Sequence, residues 1–226
     1  MYKLYIANKN YSSWSLRAWL LMKELSLPFE EEIFPFTNDS WDKYKERCPG
    51  GLVPWLKDDE KSIWDSLAIA EYLAEKHEGV WPTDPEIRAW ARSAAAEMHS
   101  GFFALRSICP MNCGVRIKLA EISEPLLKDL SRINELWSEG LNRFGGPFLA
   151  GNKFSAVDAF FAPVVFRIQS FQLPMEDKCL EYVEYLLSIQ SMQDWEAAAL
   201  KEPWRETEHE NEMLEYGVLV EDLRST

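Results

Sequence analysis

The order of strand-like and helix-like segments in the N-terminal third of the chain constrains the fold more than any other feature. Tyr2–Ala7 has the aromatic and β-branched content of a strand, and apolar residues at helical spacing follow from Ser13. Phe29–Phe34 is compatible with a second strand, and Leu52–Trp64 predicts a strand, a turn and another strand. A helix follows Asp65-Ser66. This order, with a proline at the head of the third strand, predicts a thioredoxin-like α/β domain.

The rest of the chain shows helical periodicity and no convincing strand alternation. The segment 79–85, which contains Gly, Pro and Asp, is the expected domain boundary. A long helix is predicted from Glu86 to about Ile108, and another from about Ser123 to Phe144. We therefore expect a thioredoxin-like domain over residues 1–79 and an all-helical domain over residues 86–226.

Two further features belong to the second domain. Ser155 and Asp158 have the spacing of a capping box at the start of an apolar helix, so their predicted role is in folding. The acidic tail from Glu202 onward has no clear pattern, which favours a loosely structured segment.

The charge of the chain excludes some partners. It has 24 Lys and Arg against 37 Asp and Glu, a formal net charge of −13. Such a field repels nucleic acid and anionic membrane surfaces. The sequence also lacks a basic, signal-like start and an apolar run of the ~20 residues that a membrane span needs. We therefore expect a cytoplasmic protein that binds neither nucleic acid nor membranes, and that holds any anionic ligand by local groups.

The cysteines do not indicate a disulfide framework or a metal centre. The four of them are scattered along the chain, and no CxxC motif is present. The spacing of Cys109 and Cys113, beside Pro110 and Gly114, is unlike that of a zinc site. The sequence predicts neither a metal ion nor a bound cofactor.

Four short motifs, taken in order, resemble those of the cytosolic glutathione transferase superfamily over nearly the whole chain. They are Tyr11-Ser12-Ser13-Trp14-Ser15-Leu16-Arg17, Val53-Pro54, Asp65-Ser66 and Ser155-x-x-Asp158. The first is similar to the serine-type, zeta-like members, whose signature is Ser-Ser-Cys followed by Arg, although Trp14 replaces the cysteine here. The resemblance implies a homodimer that uses glutathione as co-substrate and a small electrophile as second substrate.

The first motif supplies the group expected to ionise glutathione. The thiolate is the nucleophile, whereas a free thiol titrates near ~8.5. Lowering this pKa by two units requires roughly 2.7 kcal/mol. A hydroxyl that donates to the sulfur supplies about 1.5–3 kcal/mol, and a helix N-terminus adds about 0.3–1 kcal/mol. The resemblance favours Ser12 as the donor, with Ser13 close behind. For either serine the alternative is a purely structural N-cap.

The resemblance also implies the other glutathione contacts. The backbone of Val53, before a cis Pro54, pairs with the cysteinyl part of glutathione. Asp65 binds the γ-glutamyl ammonium, and Ser66 with the helix amides binds the γ-glutamyl carboxylate. Lys45 is a candidate for binding the glycyl carboxylate, although no motif singles it out.

The second substrate is expected between the domains. By family position, its pocket is lined by Met98, His99, Phe102 and Arg106. His99 is a candidate for acid–base steps, with a structural histidine as the alternative. For Met98 and Phe102 the alternative is a place in the hydrophobic core.

These features predict a glutathione transferase that conjugates small electrophiles in detoxification. A zeta-like, glutathione-dependent cis–trans isomerase of the maleylacetoacetate type is an alternative, which the replacement by Trp14 weakens. A non-catalytic binding or regulatory protein of the same fold is another, and the Asp65-Ser66 clamp speaks against it. A carrier of apolar ligands is suggested only by the ten tryptophans.

Overall fold

A computed structural model describes residues 1–48 and 50–224, without the side chains of residues 38, 39 and 41. The N-terminal part forms an α/β unit in the predicted order of elements. These are β1 (Tyr2–Ile6), α1 (Ser13–Glu24), β2 (Phe29–Ile33), α2 (Asn38–Arg47), β3 (Trp55–Asp58), β4 (Lys61–Trp64) and α3 (Ser66–Ala74).

The four strands form one sheet in the order β2-β1-β3-β4. β1 pairs parallel to β2 and antiparallel to β3, with Leu4 opposite Leu56. Because side chains alternate along a strand, Leu4 and Ile6 join one buried cluster whereas Tyr5 joins another. Tyr5 stacks on Trp55, with the ring centroids 4.3 Å apart. The thioredoxin-like sheet is thus covered on both faces.

The second part of the chain is mainly helical. Its elements are α4 (Pro85–Ser100), α5 (Phe103–Ile108), β5 (Val115–Leu119), α6 (Glu124–Phe144), α7 (Ala156–Phe171), α8 (Asp177–Ser188), α9 (Gln190–Leu200), α10 (Thr207–Glu215) and β6 (Gly217–Asp222). The central helix is α7, which is almost entirely buried and packs against α1, α4, α8 and β5. One hydrophobic cluster continues from α7 into the first sheet. The predicted fold class, a thioredoxin-like domain followed by a helical one, is confirmed, whereas the boundaries 1–79 and 86–226 stay a prediction.

The long helix predicted from Glu86 to about Ile108 is wrong, because it is interrupted after Ser100. Gly101 leaves the helical conformation, and Phe102 adopts a left-handed one with φ of 58°. Arg106 then folds back, and its Nε donates to the carbonyl oxygen of Gly101 at 2.9 Å. Carbonyl groups at a helix end lack partners within the helix, so this contact stabilises the break.

The expectation that residues 86–226 lack strands and end in a loose tail is also wrong. β5 and β6 form an antiparallel ribbon with a bulge between Arg116 and Ile117, and α10 precedes it. Val115 and Ile117 are buried, so buried and more exposed side chains do alternate along β5, but this strand has only five residues. β6 is largely exposed and carries no burial signal in its sequence.

No helix in the described part of the chain has the length and apolarity needed to cross a membrane. The four cysteines are all buried thiols. Burial raises the pKa of Cys109 to about 12, so this thiol is poorly suited to act as a nucleophile.

Candidate functional site

Ser12 and Ser13 lie in the tight connection between β1 and α1. The N–H of Ser12 donates to the carbonyl of Asn8 at 2.9 Å, and the carbonyl of Ser12 accepts from the N–H of Leu16 at 3.1 Å. Ser12 is therefore the N-cap of α1, and Ser13 is its first residue. Both side chains are buried at the positive end of the helix.

A third hydroxyl joins this pair. The Ser12 hydroxyl donates to Ser15 Oγ at 2.7 Å, and Ser15 Oγ also accepts from the N–H of Ala7 at 3.2 Å. Ser15 fixes the Ser12 side chain, a role that the sequence analysis missed. Its position three residues after Ser12 was the available signal.

The loop before these serines is held by the C-terminal part of the chain. The Glu202 carboxylate accepts from the N–H groups of Lys9 and Asn10 at 2.7 and 3.2 Å. The Tyr11 hydroxyl donates to Glu210 at 2.5 Å. Burial and this contact raise the pKa of Tyr11. Two carboxylates of the C-terminal segment thus hold the serine loop.

The Val53–Pro54 peptide bond is cis. The antiparallel ladder between β1 and β3 begins at Trp55, opposite Tyr5, so Val53 lies just outside it. Lys45 is exposed in the last turn of α2. The glutathione contacts assigned to these three residues stay predictions.

Asp65 has an unusual backbone conformation, and its two carboxylate oxygens make different contacts. Its φ is 74°, a region that residues other than glycine rarely adopt. Oδ1 accepts from the N–H groups of Leu67 and Ala68 at 2.8 and 3.3 Å and caps α3. Oδ2 lies 3.3 Å from Nε2 of His99, and the side chain remains 44% exposed. The neighbouring Ser66 hydroxyl is buried and has no partner among the described residues.

Arg17 is buried beside His99. Only 1% of it is exposed, and it forms no salt bridge within the described residues. Its guanidinium stacks on Phe160 at 4.8 Å, and its Nη1 lies 3.5 Å from Nδ1 of His99. Nε and Nη2 of Arg17 are buried without a partner in the described chain. Burial, with Arg106 adding to its effect, lowers the pKa of Arg17.

These distances fix the tautomer of His99. Arginine can only donate hydrogen bonds, so Nδ1 of His99 accepts from Arg17. The proton of the neutral ring then lies on Nε2, which faces Asp65. Burial lowers the pKa of His99, Asp65 opposes this shift, and Arg17 and Arg106 add to it. The neutral ring is therefore favoured.

The residues predicted for the second-substrate pocket separate into two groups. Met98 and Phe102 belong to the hydrophobic core and are 1% and 6% exposed. Arg106 Nη2 donates to the carbonyls of Met98 and His99, and its guanidinium lies 5.0 Å from the Trp14 ring. Trp14 is 38% exposed, which places an aromatic surface beside the serine loop. The assignment of this pocket stays a prediction.

A cavity of about 500 Å³ lies elsewhere, between the end of α3 and the start of α4. His77, Trp81 and Arg88 are among its lining residues, and none of the predicted site residues is. The candidate site is therefore defined by its side chains and not by this cavity.

Residues 11–76 match a family model described as the N-terminal domain of glutathione S-transferase. The chain is 25% identical over 199 residues to the glutathione S-transferase-like protein OpS6 of Beauveria bassiana (strain ARSEF 2860), covering 85% of this chain and 90% of the relative. It is 26% identical over 180 residues to a probable maleylacetoacetate isomerase of Caenorhabditis elegans, covering 76% and 81%. A crystal structure of a glutathione transferase homolog from Burkholderia gl BGR1, with bound glutathione, superposes with a TM-score of 0.67 at 25% identity, over 88% of this chain and 97% of that chain.

Proposed function

We propose that this chain, which is similar to glutathione transferases over most of its length, adds the thiolate of glutathione to small electrophilic molecules. The observation that carries the proposal is the buried Ser12–Ser13 pair at the N-terminus of α1. A hydroxyl and a helix N-terminus together provide about 2–4 kcal/mol for an adjacent anion. That is enough to lower a thiol pKa by about two units.

The Ser12–Ser15 contact supports Ser12 as the donor. Rotation of the two hydroxyl groups reverses this hydrogen bond, so that Ser15 donates to Ser12. The Ser12 proton is then available to the sulfur. Ser13 is the alternative donor, since it is the first residue of α1 and its side chain is buried beside Ser12.

The other glutathione groups are assigned as follows. The Val53 backbone beside the cis Pro54 pairs with the cysteinyl part. Oδ2 of Asp65 receives the γ-glutamyl ammonium, since Oδ1 is used by the cap of α3. The Ser66 hydroxyl donates to the γ-glutamyl carboxylate, which would give this buried group a partner. Lys45 is assigned to the glycyl carboxylate.

The electrophile would lie over Trp14, near His99 and Arg106. Attack by the sulfur forms a carbon–sulfur bond, either by addition or with loss of a leaving group. We further propose a cytoplasmic homodimer that needs no bound cofactor and binds no nucleic acid.

An isomerase that uses glutathione is the second candidate. The similarity to a probable maleylacetoacetate isomerase and the Ser12-Ser13 motif favour it. The enzyme would then isomerise a maleyl compound faster than it conjugates a haloarene. A scaffold without activity would bind no glutathione.

The test is calorimetry with glutathione on the wild type, Ser12→Ala and Ser13→Ala, combined with titration of the bound thiol by its ultraviolet absorbance. Loss of the donor should raise the pKa of the bound thiol by about 1–2 units. Ser93→Ala on the exposed face of α4 is the control, since the Ser93 hydroxyl donates to the carbonyl of Ala89 in the same helix. An unchanged thiol pKa in both Ser12→Ala and Ser13→Ala would refute the proposal.

A further inference from the structure

Arg17, His99 and Asp65 form a chain of contacts that joins the two parts of the molecule. Arg17 lies on α1, His99 on α4, and Asp65 immediately before α3. The distances are 3.5 Å from Arg17 to Nδ1 of His99 and 3.3 Å from Nε2 of His99 to Asp65. A polar side chain of α4, His99, therefore contacts the Asp65 carboxylate that caps α3.

The position of the His99 ring is set by its surroundings. The ring lies against Phe160, with the centroids 6.1 Å apart. The charged groups that face it are Asp65, Arg17 and Arg106. Burial opposes a positive charge on the ring, Asp65 favours one, and Arg17 and Arg106 add to the effect of burial, so that the pKa of His99 is lowered.

We propose that His99 is a positioning residue, which as a neutral imidazole holds Oδ2 of Asp65 in the orientation that receives the ammonium group of glutathione. This inference rests on the proposed function and adds to it a residue that touches neither the sulfur nor the electrophile. An imidazolium ion at this place pairs with Asp65 and competes with the ligand ammonium for the same oxygen. A neutral N–H group 3.3 Å from Oδ2 restricts the position of the carboxylate and leaves its charge for the ligand.

The first experiment compares two ligands by calorimetry. They are glutathione and its analogue glutaryl-cysteinyl-glycine, which lacks only the amino group. His99→Leu should weaken glutathione binding roughly tenfold, as expected for loss of a hydrogen bond to a charged group, and analogue binding less than twofold. His99→Gln keeps an N–H donor and should restore most of the affinity for glutathione.

If His99 had a purely structural role, His99→Leu would weaken the binding of both ligands equally. That result would overturn the inference. Failure of the wild type to bind glutathione would overturn the proposed function itself. The control is His77→Gln, because His77 contacts Tyr2 at 2.8 Å outside the site.

The second experiment uses the wild type and therefore does not depend on a variant that may misfold. Its affinity for glutathione is measured from pH 8 to pH 5. The affinity should fall as His99 gains a proton, below the ordinary histidine value of ~6.5. This fall should be smaller in His99→Gln and for the analogue. The same pH profile in the wild type and in His99→Gln would contradict the inference.

Discussion

The carboxylate of Glu202 accepts a 2.7 Å hydrogen bond from the backbone N–H of Lys9, which lies 193 residues earlier in the chain. The same carboxylate bonds to the N–H of Asn10, and the Asn10 side chain donates to the carbonyl of Ala199 at 2.9 Å. Trp195 adds a hydrogen bond from its indole N–H to the carbonyl of Lys9 at 3.0 Å. The end of α9 therefore determines the conformation of the loop that leads to Ser12.

Replacement of Glu202 should disturb both stability and catalysis. Glu202→Ala leaves two buried N–H groups without an acceptor, which should lower the free energy of unfolding by about 2–4 kcal/mol. Glu202→Gln keeps one acceptor oxygen, so the free energy of unfolding should decrease by about half as much. Urea denaturation measures the loss, and conjugation of a haloarene reports the effect on the serine loop. Equal stability of Glu202→Ala and the wild type would show that the carboxylate does not hold the loop.

The stability of the protein should depend on the protonation of His99. Its pKa is lowered in the folded state, mainly by burial, so the unfolded chain binds a proton at a higher pH than the folded chain does. The free energy of unfolding should therefore fall as the pH decreases from ~6.5 towards the folded-state pKa. The comparison is urea denaturation of the wild type and His99→Gln between pH 8 and pH 5. The difference in slope should disappear above pH ~7, and a wild type that became more stable in acid relative to His99→Gln would contradict the assignment.

Asp158 should be among the most sensitive positions for folding. Its carboxylate accepts from the N–H groups of Leu149 and Ser155 at 2.9 and 3.0 Å and from the Tyr182 hydroxyl at 3.1 Å. Asp158→Ala removes a helix cap and leaves buried donors unpaired, so we expect a loss of about 3 kcal/mol or more. Chemical denaturation would measure it, with Asp177→Ala at the exposed start of α8 as the control. A loss below about 1 kcal/mol would show that the network is not a folding determinant.

Arg106 should act through the end of α4. Its guanidinium donates to the carbonyls of Met98, His99 and Gly101. Lysine cannot satisfy three carbonyls in this geometry, so Arg106→Lys should lower the free energy of unfolding by about 1–3 kcal/mol. It should also weaken glutathione binding, because the position of His99 depends on this helix end. Thermal unfolding and calorimetry test both effects, and Arg88→Lys at the other end of α4 is the control, since Arg88 bonds to the carbonyls of Pro82 and Thr83. If Arg106→Lys changed neither the stability nor the affinity for glutathione, the end of α4 would not depend on the Arg106 hydrogen bonds.

The local features of the fold could be predicted from the sequence. The strand and helix order up to Ala74 follows from periodicity and turn residues, and the structure confirms it. The helix from Ser123 to Phe144 was placed to within one residue. The motif residues Ser12 and Asp65 lie at helix N-termini, where capping preferences had placed them.

Contacts between distant parts of the chain could not be predicted. The pairing of β5 with β6 joins segments about a hundred residues apart, and β6 has no buried face to mark it. The break at Gly101 depends on Arg106, whose role is visible only once the helix has ended. The contact between His99 and Asp65 requires the packing of α4 beside α3, which no local pattern encodes. Sequence reasoning therefore named candidate site residues, but it missed Ser15 and the contacts among distant residues.

The support of the serine loop has a consequence for biosynthesis. The loop leaves the ribosome first, whereas its supports at Glu202 and Glu210 leave it some two hundred residues later. The loop therefore lacks its buried acceptors until the segment that contains Glu202 and Glu210 has been synthesised.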